Sequence, residues 1–463
     1  MNPRDTPMRI ITTQPLFAWE ALEDSPSLAT LREFLAIIPD ADLLNALRRG
    51  RGKGRNDYPV HVLWGVVLLT IALRHPSVEA CLAELGRNRA LRKLIGIASE
   101  EAVPRKWNVS RFLNTLGREP YHTLMHEGFD TMVQRLGVAV PDLGRDTAGD
   151  ASGLNARPTP GAARERSRRP SARPAGLPEP SGGRREYTDD QGNVTRVVEW
   201  FGYKFHLLVD VRHEVVLAYR ITAAREADNR VLPDLLRSAQ ANLPQGRIRT
   251  LAYDKACDDG DVHRRLHQAR IAPVIQNRSL WKDQTEQMLR GHNGDSNVVY
   301  DERGTLHCYD KVSDPPVRHR MSYIGHEPQR GTLKYRCPAR HEGWTCPMDP
   351  VCNAGKSYGL TVRVKREIDL RRFPPIPRAT KLFERKYKGR TAVERVNARI
   401  KVFWGADDGN ITGAARFHAF LGAVMVVHAG FATLLAAAPR REPGLGKLRL
   451  SAVAKALRAR LRP

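Results

Sequence analysis

Tyr387-Lys388-Gly389-Arg390-Thr391-Ala392-Val393-Glu394, continued to Lys401, sets one acidic residue among bases in a chain whose net charge is +25. Counted from Tyr387, the residues Arg390, Glu394 and Lys401 fall at offsets 3, 7 and 14. At about 3.6 residues per turn these positions share one face of a helix. Such a face puts a carboxylate between groups suited to phosphate, as a metal site beside a nucleic acid would require. The simpler reading of the same face is a solvated helix in which Glu394 pairs with Arg390 four residues earlier, worth a few tenths of a kcal/mol.

The face resembles the Y-x2-R-x3-E-x6-K signature of bacterial insertion-sequence transposases of the DDE class, with every position and gap matched. The resemblance implies an α/β fold with an RNase H-like catalytic domain. In that fold Glu394 is the third metal-binding carboxylate, and two aspartates stand upstream at the ends of β-strands. Arg249-Thr250-Leu251-Ala252-Tyr253-Asp254 reads as a short apolar strand that ends on an acid and turns into Asp258-Asp259-Gly260. It is similar to the family's strand carrying the second aspartate, here Asp254. One departure is Cys257, which stands where the family has an aromatic residue, and Asp258, Asp259 and Asp261 also suit turn or helix-cap positions.

For the first aspartate, Leu143 to Ala156 contains two acids and almost no apolar run. Asp150, Ala151 and Ser152, followed by Asn155 and Ala156, reproduce the family's order of aspartate, small residue, Ser or Thr, and an Asn-Ala pair. Asp146 is the rival position. Gly202-Tyr203-Lys204 and His206 also resemble the family's next strand.

Mg²⁺ takes oxygen ligands and keeps several waters, so a few acids can hold two ions about 3.5–4 Å apart. The resemblance therefore implies two Mg²⁺ or Mn²⁺ ions on Asp150, Asp254 and Glu394. They would activate water or a 3′-hydroxyl for in-line attack on a phosphodiester. It further implies that Arg390 and Lys401 hold phosphates, while Tyr387 packs on or hydrogen-bonds to DNA. The expected reaction is cleavage and strand transfer at the ends of an insertion sequence. Its partners are the double-stranded terminal inverted repeats and target DNA, with a homodimer assembled on them. Two other readings are an RNase H-like endonuclease that does not join strands and a catalytically inactive DNA-binding repressor.

Composition points the same way less sharply. Lys plus Arg number 75 against 50 acids, and the pI is near 10.2, so a polyanion is the expected partner. Ribosomal and membrane-surface proteins share that bias. At 463 residues and 41% hydrophobic, the chain can bury a sizeable core. Its longest apolar run, from about Val62 to Leu73, is too short to span a bilayer, and no signal segment opens the chain. A cytoplasmic, nucleoid-associated protein with no membrane partner is expected.

Residues 1–135 read as an all-helical DNA-binding domain, with apolar residues at three- and four-residue spacing over Asp42–Leu47, Val60–Leu73 and Ser77–Ile95. Ser77 suits a helix cap, and Gly86-Arg87-Asn88 suits a break. The catalytic core is expected over 140–300 and 381–438, interrupted by a basic disordered loop over 156–186 that is rich in arginine and proline. A hairpin is expected over Trp200–Val209 and Val215–Tyr219, turning at Arg212-His213-Glu214. Helix over Val231–Leu243 and His263–Ala269 alternates with strand at Asp254 and at Ile271–Ile275, which argues for parallel pairing.

The stretch 301–380 reads as an insertion between the second aspartate and the glutamate, and it bears Cys308, Cys337, Cys346 and Cys352. The spacing is looser than that of a paired-cysteine zinc motif, so structural Zn²⁺ is an open alternative there. Ala414–Ala438 reads as an apolar helix behind the catalytic one, with His418 and His428 as core residues. The tail over 439–463 reads as a basic amphipathic helix.

Overall fold

A computed structural model of the chain describes residues 27–51, 57–156, 177–188, 193–282, 285–289, 297–407 and 411–437. Its first part is helical: α1 (Ser27–Ile37), α2 (Ala41–Arg51), α3 (Val60–Ala72), α4 (Val78–Arg87), α5 (Arg89–Leu94), α6 (Lys106–Leu116) and α7 (Tyr121–Ala139). Ser77 caps α4 by accepting from Ala80 N at 3.2 Å, and Asn88 caps α5 by accepting from Leu91 N at 3.2 Å. The expected break therefore falls at Asn88, where a side chain satisfies orphan amides. Asn108 to Phe112 lies inside α6.

These helices do not close a core of their own. The long apolar helix α14 (Ala414–Ala437) packs among α1, α3, α6 and α7 and touches β4 (Val216–Ala223). The expectation that it lies behind the catalytic helix is therefore corrected: its main neighbours are the first helices of the chain. By length and composition α14 could cross a membrane, yet 83% of its apolar window is buried inside the protein. Val216 N donates to His428 Nε2 at 3.0 Å, and the His418 ring meets Tyr203 edge-on, so both histidines are core residues.

One hydrophobic cluster runs from Leu31 through the sheet to Leu435. The sheet contains β1 (Asp146–Asn155), β2 (Ser181–Thr188), β3 (Val194–Asp210), β4, β5 (Thr250–Tyr253) and β6 (Ala272–Ile275). Its main order is β4-β3-β1-β5-β6, and β2 pairs with the first half of the long β3. β1 is antiparallel to β3, with Asp150 opposite Leu207, and parallel to β5, with Thr147 opposite Leu251. Helices α8 (Asp228–Asn242) and α9 (Gly260–Gln268) follow β4 and β5. The turn between β3 and β4 falls at 212–214 as expected, with Glu214 at φ 57°.

β1 is central although it carries few apolar side chains. Small residues are needed there because neighbours fill the space: a Cβ on Gly149 would stand 2.4 Å from Tyr253 Cε2, and one on Gly153 would stand 2.6 Å from Trp200 Cε2. The basic loop expected over 156–186 is shorter than the sequence suggests, since 181–188 is the strand β2. Residues 157–176 and the expected helix over 439–463 lie outside the described residues.

Two small antiparallel sheets follow β6. One holds β7 (Glu286–Met288), β8 (Val298–Asp301), β9 (Leu306–Asp310) and β10 (Val317–Arg320); the other holds β11 (Ser322–Glu327), β12 (Thr332–Arg336) and β13 (Thr361–Lys365). Between β12 and β13 lie the short helices α10 (Pro338–Glu342) and α11 (Asp349–Cys352). This region has a second, smaller core that includes Leu306, Leu333, Val362 and Phe373.

Candidate active site

The chain returns to the main sheet through α12 (Lys381–Lys388) and α13 (Thr391–Ala398). Thr380 starts α12 by accepting from Phe383 N at 3.2 Å. Between the two helices, Gly389 and Arg390 keep right-handed helical angles, and α13 runs into a π turn over Arg399–Phe403. The 387–401 stretch is therefore two helical segments and a wider turn, not the single regular α-helix that the offsets assume. Gly389 lies against β3's end, where a Cβ would meet Val211 Cγ1 at 2.8 Å.

Cations from these segments grip one face of β1, because positions 146, 150 and 152 point to the same side of a strand. Lys386 Nζ donates to both oxygens of Asp146 at 2.7 Å, and Thr250 Oγ1 donates to Asp146 Oδ1 at 2.6 Å. Arg390 Nη1 lies 3.7 Å from Asp150 Oδ2, and Arg390 Nη2 donates to Glu394 Oε1 at 2.6 Å. Lys401 Nζ donates to Gly153 O at 2.6 Å and Ser152 Oγ at 3.2 Å, and lies 3.2 Å from Asp407 Oδ2.

Asp254 follows β5 directly and accepts from Ala256 N at 2.9 Å, which caps a short 3₁₀ turn. The Tyr387 ring stacks on Phe383 with centroids 5.9 Å apart. Burial pushes its phenol pKa up; Arg390 opposes the rise, and the charges of Asp254 and Glu394 add to it. Burial works against the Arg390 charge, but Tyr387, Asp150, Glu394 and Asp254 more than offset it, holding the guanidinium above its ordinary pKa. Carboxylates from β1 and from α13 thus lie against one cation. Asp150 is buried, whereas the Glu394 side chain is 48% exposed and open to a ligand.

Among the described residues no three His, Cys, Asp or Glu side chains stand together as a formed metal cluster. Arg390 bridges Asp150 and Glu394 instead. The donor set still fits Mg²⁺ or Mn²⁺: it is all carboxylate oxygen, it comes from rigid elements, and it already accommodates a positive charge.

Sequence reading did not find the supports of this site. Asp258, expected as a turn or helix-cap residue, is fully buried and accepts from Arg371 Nε at 2.8 Å, Arg378 Nη2 at 2.9 Å and Arg278 N at 2.8 Å, with His263 Nε2 at 2.9 Å. Buried Glu214 holds α13 and the π turn, since Arg395 Nε reaches its Oε1 at 2.6 Å and Arg399 Nη2 its Oε2 at 2.8 Å. The paired arginine side chains are too distant in sequence for any local pattern to reveal them. Asp259, by contrast, is the helix cap its sequence suggests, accepting from Asp261 N at 2.9 Å.

Two family models match the chain. One, described as "Transposase DDE domain", covers residues 150–429, and the other, described as "Transposase domain (DUF772)", covers residues 19–115. No curated protein matches it.

Proposed function

The chain belongs to the transposase DDE-domain family, and on that premise we propose that it cuts DNA at the ends of an insertion sequence and transfers the cut strand. Asp150, Asp254 and Glu394 are assigned as the ligands of two Mg²⁺ or Mn²⁺ ions. The observation that carries this reading is that Arg390 bridges Asp150 and Glu394, with Asp254 at the end of the strand beside that of Asp150. An RNase H-like core is supported by the strand order β4-β3-β1-β5-β6, in which β5 runs parallel to β1 and β6 to β5 while β3 is antiparallel to β1. On this reading the two small sheets are an insertion between Asp254 and Glu394.

When bound, the divalent ions supply activation of the attacking oxygen and stabilisation of the leaving one. The protein's own groups do the rest. Asp146 is committed to Lys386 and Thr250, which favours Asp150 as the first ligand. Arg390 is placed to release Glu394 and clamp a phosphate bidentately. Tyr387 borders the same centre and would pack on DNA. Lys401 ties the π turn to β1 and reaches a phosphate only by leaving Ser152 and Gly153. The net charge of +25 suits double-stranded DNA, and joining two ends calls for a homodimer on it.

The test compares wild type with Glu394→Gln on DNA carrying the element's ends. Loss of cleavage in the variant with end binding retained is expected. Indistinguishable behaviour of the two proteins would instead favour a repressor. Cleavage without transfer of pre-cut ends would favour a simple nuclease.

A further inference from the structure

We propose that Cys308, Cys337, Cys346 and Cys352 form a binding site for one structural Zn²⁺ that staples the two small sheets. The fold gathers these residues from separate elements. Cys308 lies in β9 opposite Val298 of β8, and the preceding Asn297 donates from Nδ2 to Cys352 Sγ at 3.7 Å and to Tyr309 O at 2.8 Å. Asn353, next to Cys352 and buried, donates from Nδ2 to Cys337 Sγ at 3.6 Å and to Asp349 Oδ1 at 2.7 Å. Cys346 joins the group through a turn in which Asp349 N donates to Cys346 O at 2.9 Å, at the start of the helix that ends on Cys352.

Two side-chain amides thus already point at sulfur, an arrangement that suits thiolate better than thiol. The four cysteines are free, and desolvation favours the neutral thiol over the thiolate. A Zn²⁺ ion reverses that balance, because each thiol gives up its proton as its sulfur binds, and Zn²⁺ plus four thiols yields a tetrathiolate and four protons. Lys356, which donates to Cys352 O at 3.2 Å, lies beside the resulting negative charge. The site is empty, and among the described residues no three ligands yet stand at coordinating positions. Loading therefore turns the thiols inward. The gain is physical: the second core is small, and small cores are commonly completed by a metal or a disulfide.

The full chain, purified under reducing conditions, is assayed for metal by mass spectrometry after dialysis against a mild chelator. About one Zn²⁺ per chain is expected for a closed four-sulfur site. Replacement by Co²⁺ should give the visible bands and near-ultraviolet thiolate charge transfer of a tetrahedral sulfur site. Cys346→Ser and Cys352→Ser should each lower retained zinc at least tenfold. Cys81→Ser, far from the cluster in sequence, and Glu394→Gln should leave it unchanged, which separates this ion from the catalytic ones. If the serine variants fail to fold, the zinc content and cobalt spectrum of the wild type decide. A wild type without retained zinc and without the charge-transfer band overturns the proposal, as does a disulfide between any two of the four cysteines in the purified protein.

Discussion

Asp258→Asn should unseat the buried ion group at the end of the turn that Asp254 caps, without touching the three carboxylates. The wild-type carboxylate is fully buried and faces two guanidiniums that are themselves nearly buried, Arg371 at 10% and Arg378 at 4% side-chain exposure. Removing one member of a buried ion group leaves the others uncompensated, which costs about 3–5 kcal/mol. With an m-value of about 2–3 kcal/mol/M in urea, the midpoint should fall by roughly 1–2.5 M. Asp261→Asn, which breaks an exposed pair with Arg264, should cost no more than about 0.5 kcal/mol and serves as the control. pH supplies a second signature. Burial alone would raise the Asp258 pKa, but the hydrogen bond with His263, the Arg378 charge and the Arg278 amide outweigh it and hold the carboxyl below its ordinary value. Its contribution is therefore complete above the ordinary carboxylate pKa and is lost as pH falls through the lower folded value, a dependence the asparagine variant should lack. A variant within about 1 kcal/mol of wild type would refute the reasoning, because the two arginines would then have needed no counter-charge.

Further outcomes are expected elsewhere. Arg390→Lys should reduce DNA cleavage more than Lys401→Arg, since a lysine cannot reproduce a bidentate clamp; rate measurements on end-bearing DNA check the order. Burial lowers the pKa values of His206, His418 and His428 to about 3 each. Between that value and an unfolded pKa of about 6.5 the unfolded chain binds more protons, so stability should fall as pH drops through this window, measurable by urea titration at stepped pH. His428→Leu should cost about 1–3 kcal/mol by orphaning the Val216 amide, and it should flatten part of that slope. Gly149→Ala should cost about 1–3 kcal/mol through collision with Tyr253 and should slow cleavage by moving the adjacent Asp150, read by denaturation and by strand-cutting rate.

What could be read from residue order alone was what is local. The β3–β4 hairpin, the Ser77 cap and the short apolar strand before Asp254 each announce themselves within a few residues, and they stand where expected. The strand that carries Asp150 lacks the alternation that normally marks one. The reason lies in neighbours: Tyr253 and Trp200 occupy the space that side chains at 149 and 153 would fill. The break at Gly389-Arg390 and the π turn were invisible to a count of offsets, because a helical period presumes regular hydrogen bonding. β2 was hidden at the edge of an arginine- and proline-rich stretch, and its pairing with β3 supplies what composition does not. Asp258 and Glu214 looked like turn residues, since the arginine side chains that pair with them lie more than a hundred positions away. α14 was recognised as a helix, but its choice of partners at the opposite end of the chain was a tertiary outcome.

That last arrangement governs when the molecule becomes competent during its own synthesis. The helix that closes the first bundle is among the last described segments to leave the ribosome, and Glu394 emerges only shortly before it. At about 5–20 residues per second, roughly ten seconds to a minute separates the appearance of Asp150 from that of Glu394. A nascent or prematurely terminated product therefore carries a bundle without its central rod. The bundle's closure thus waits on the far end of the chain, and the first helices must pass that interval with their apolar faces uncovered.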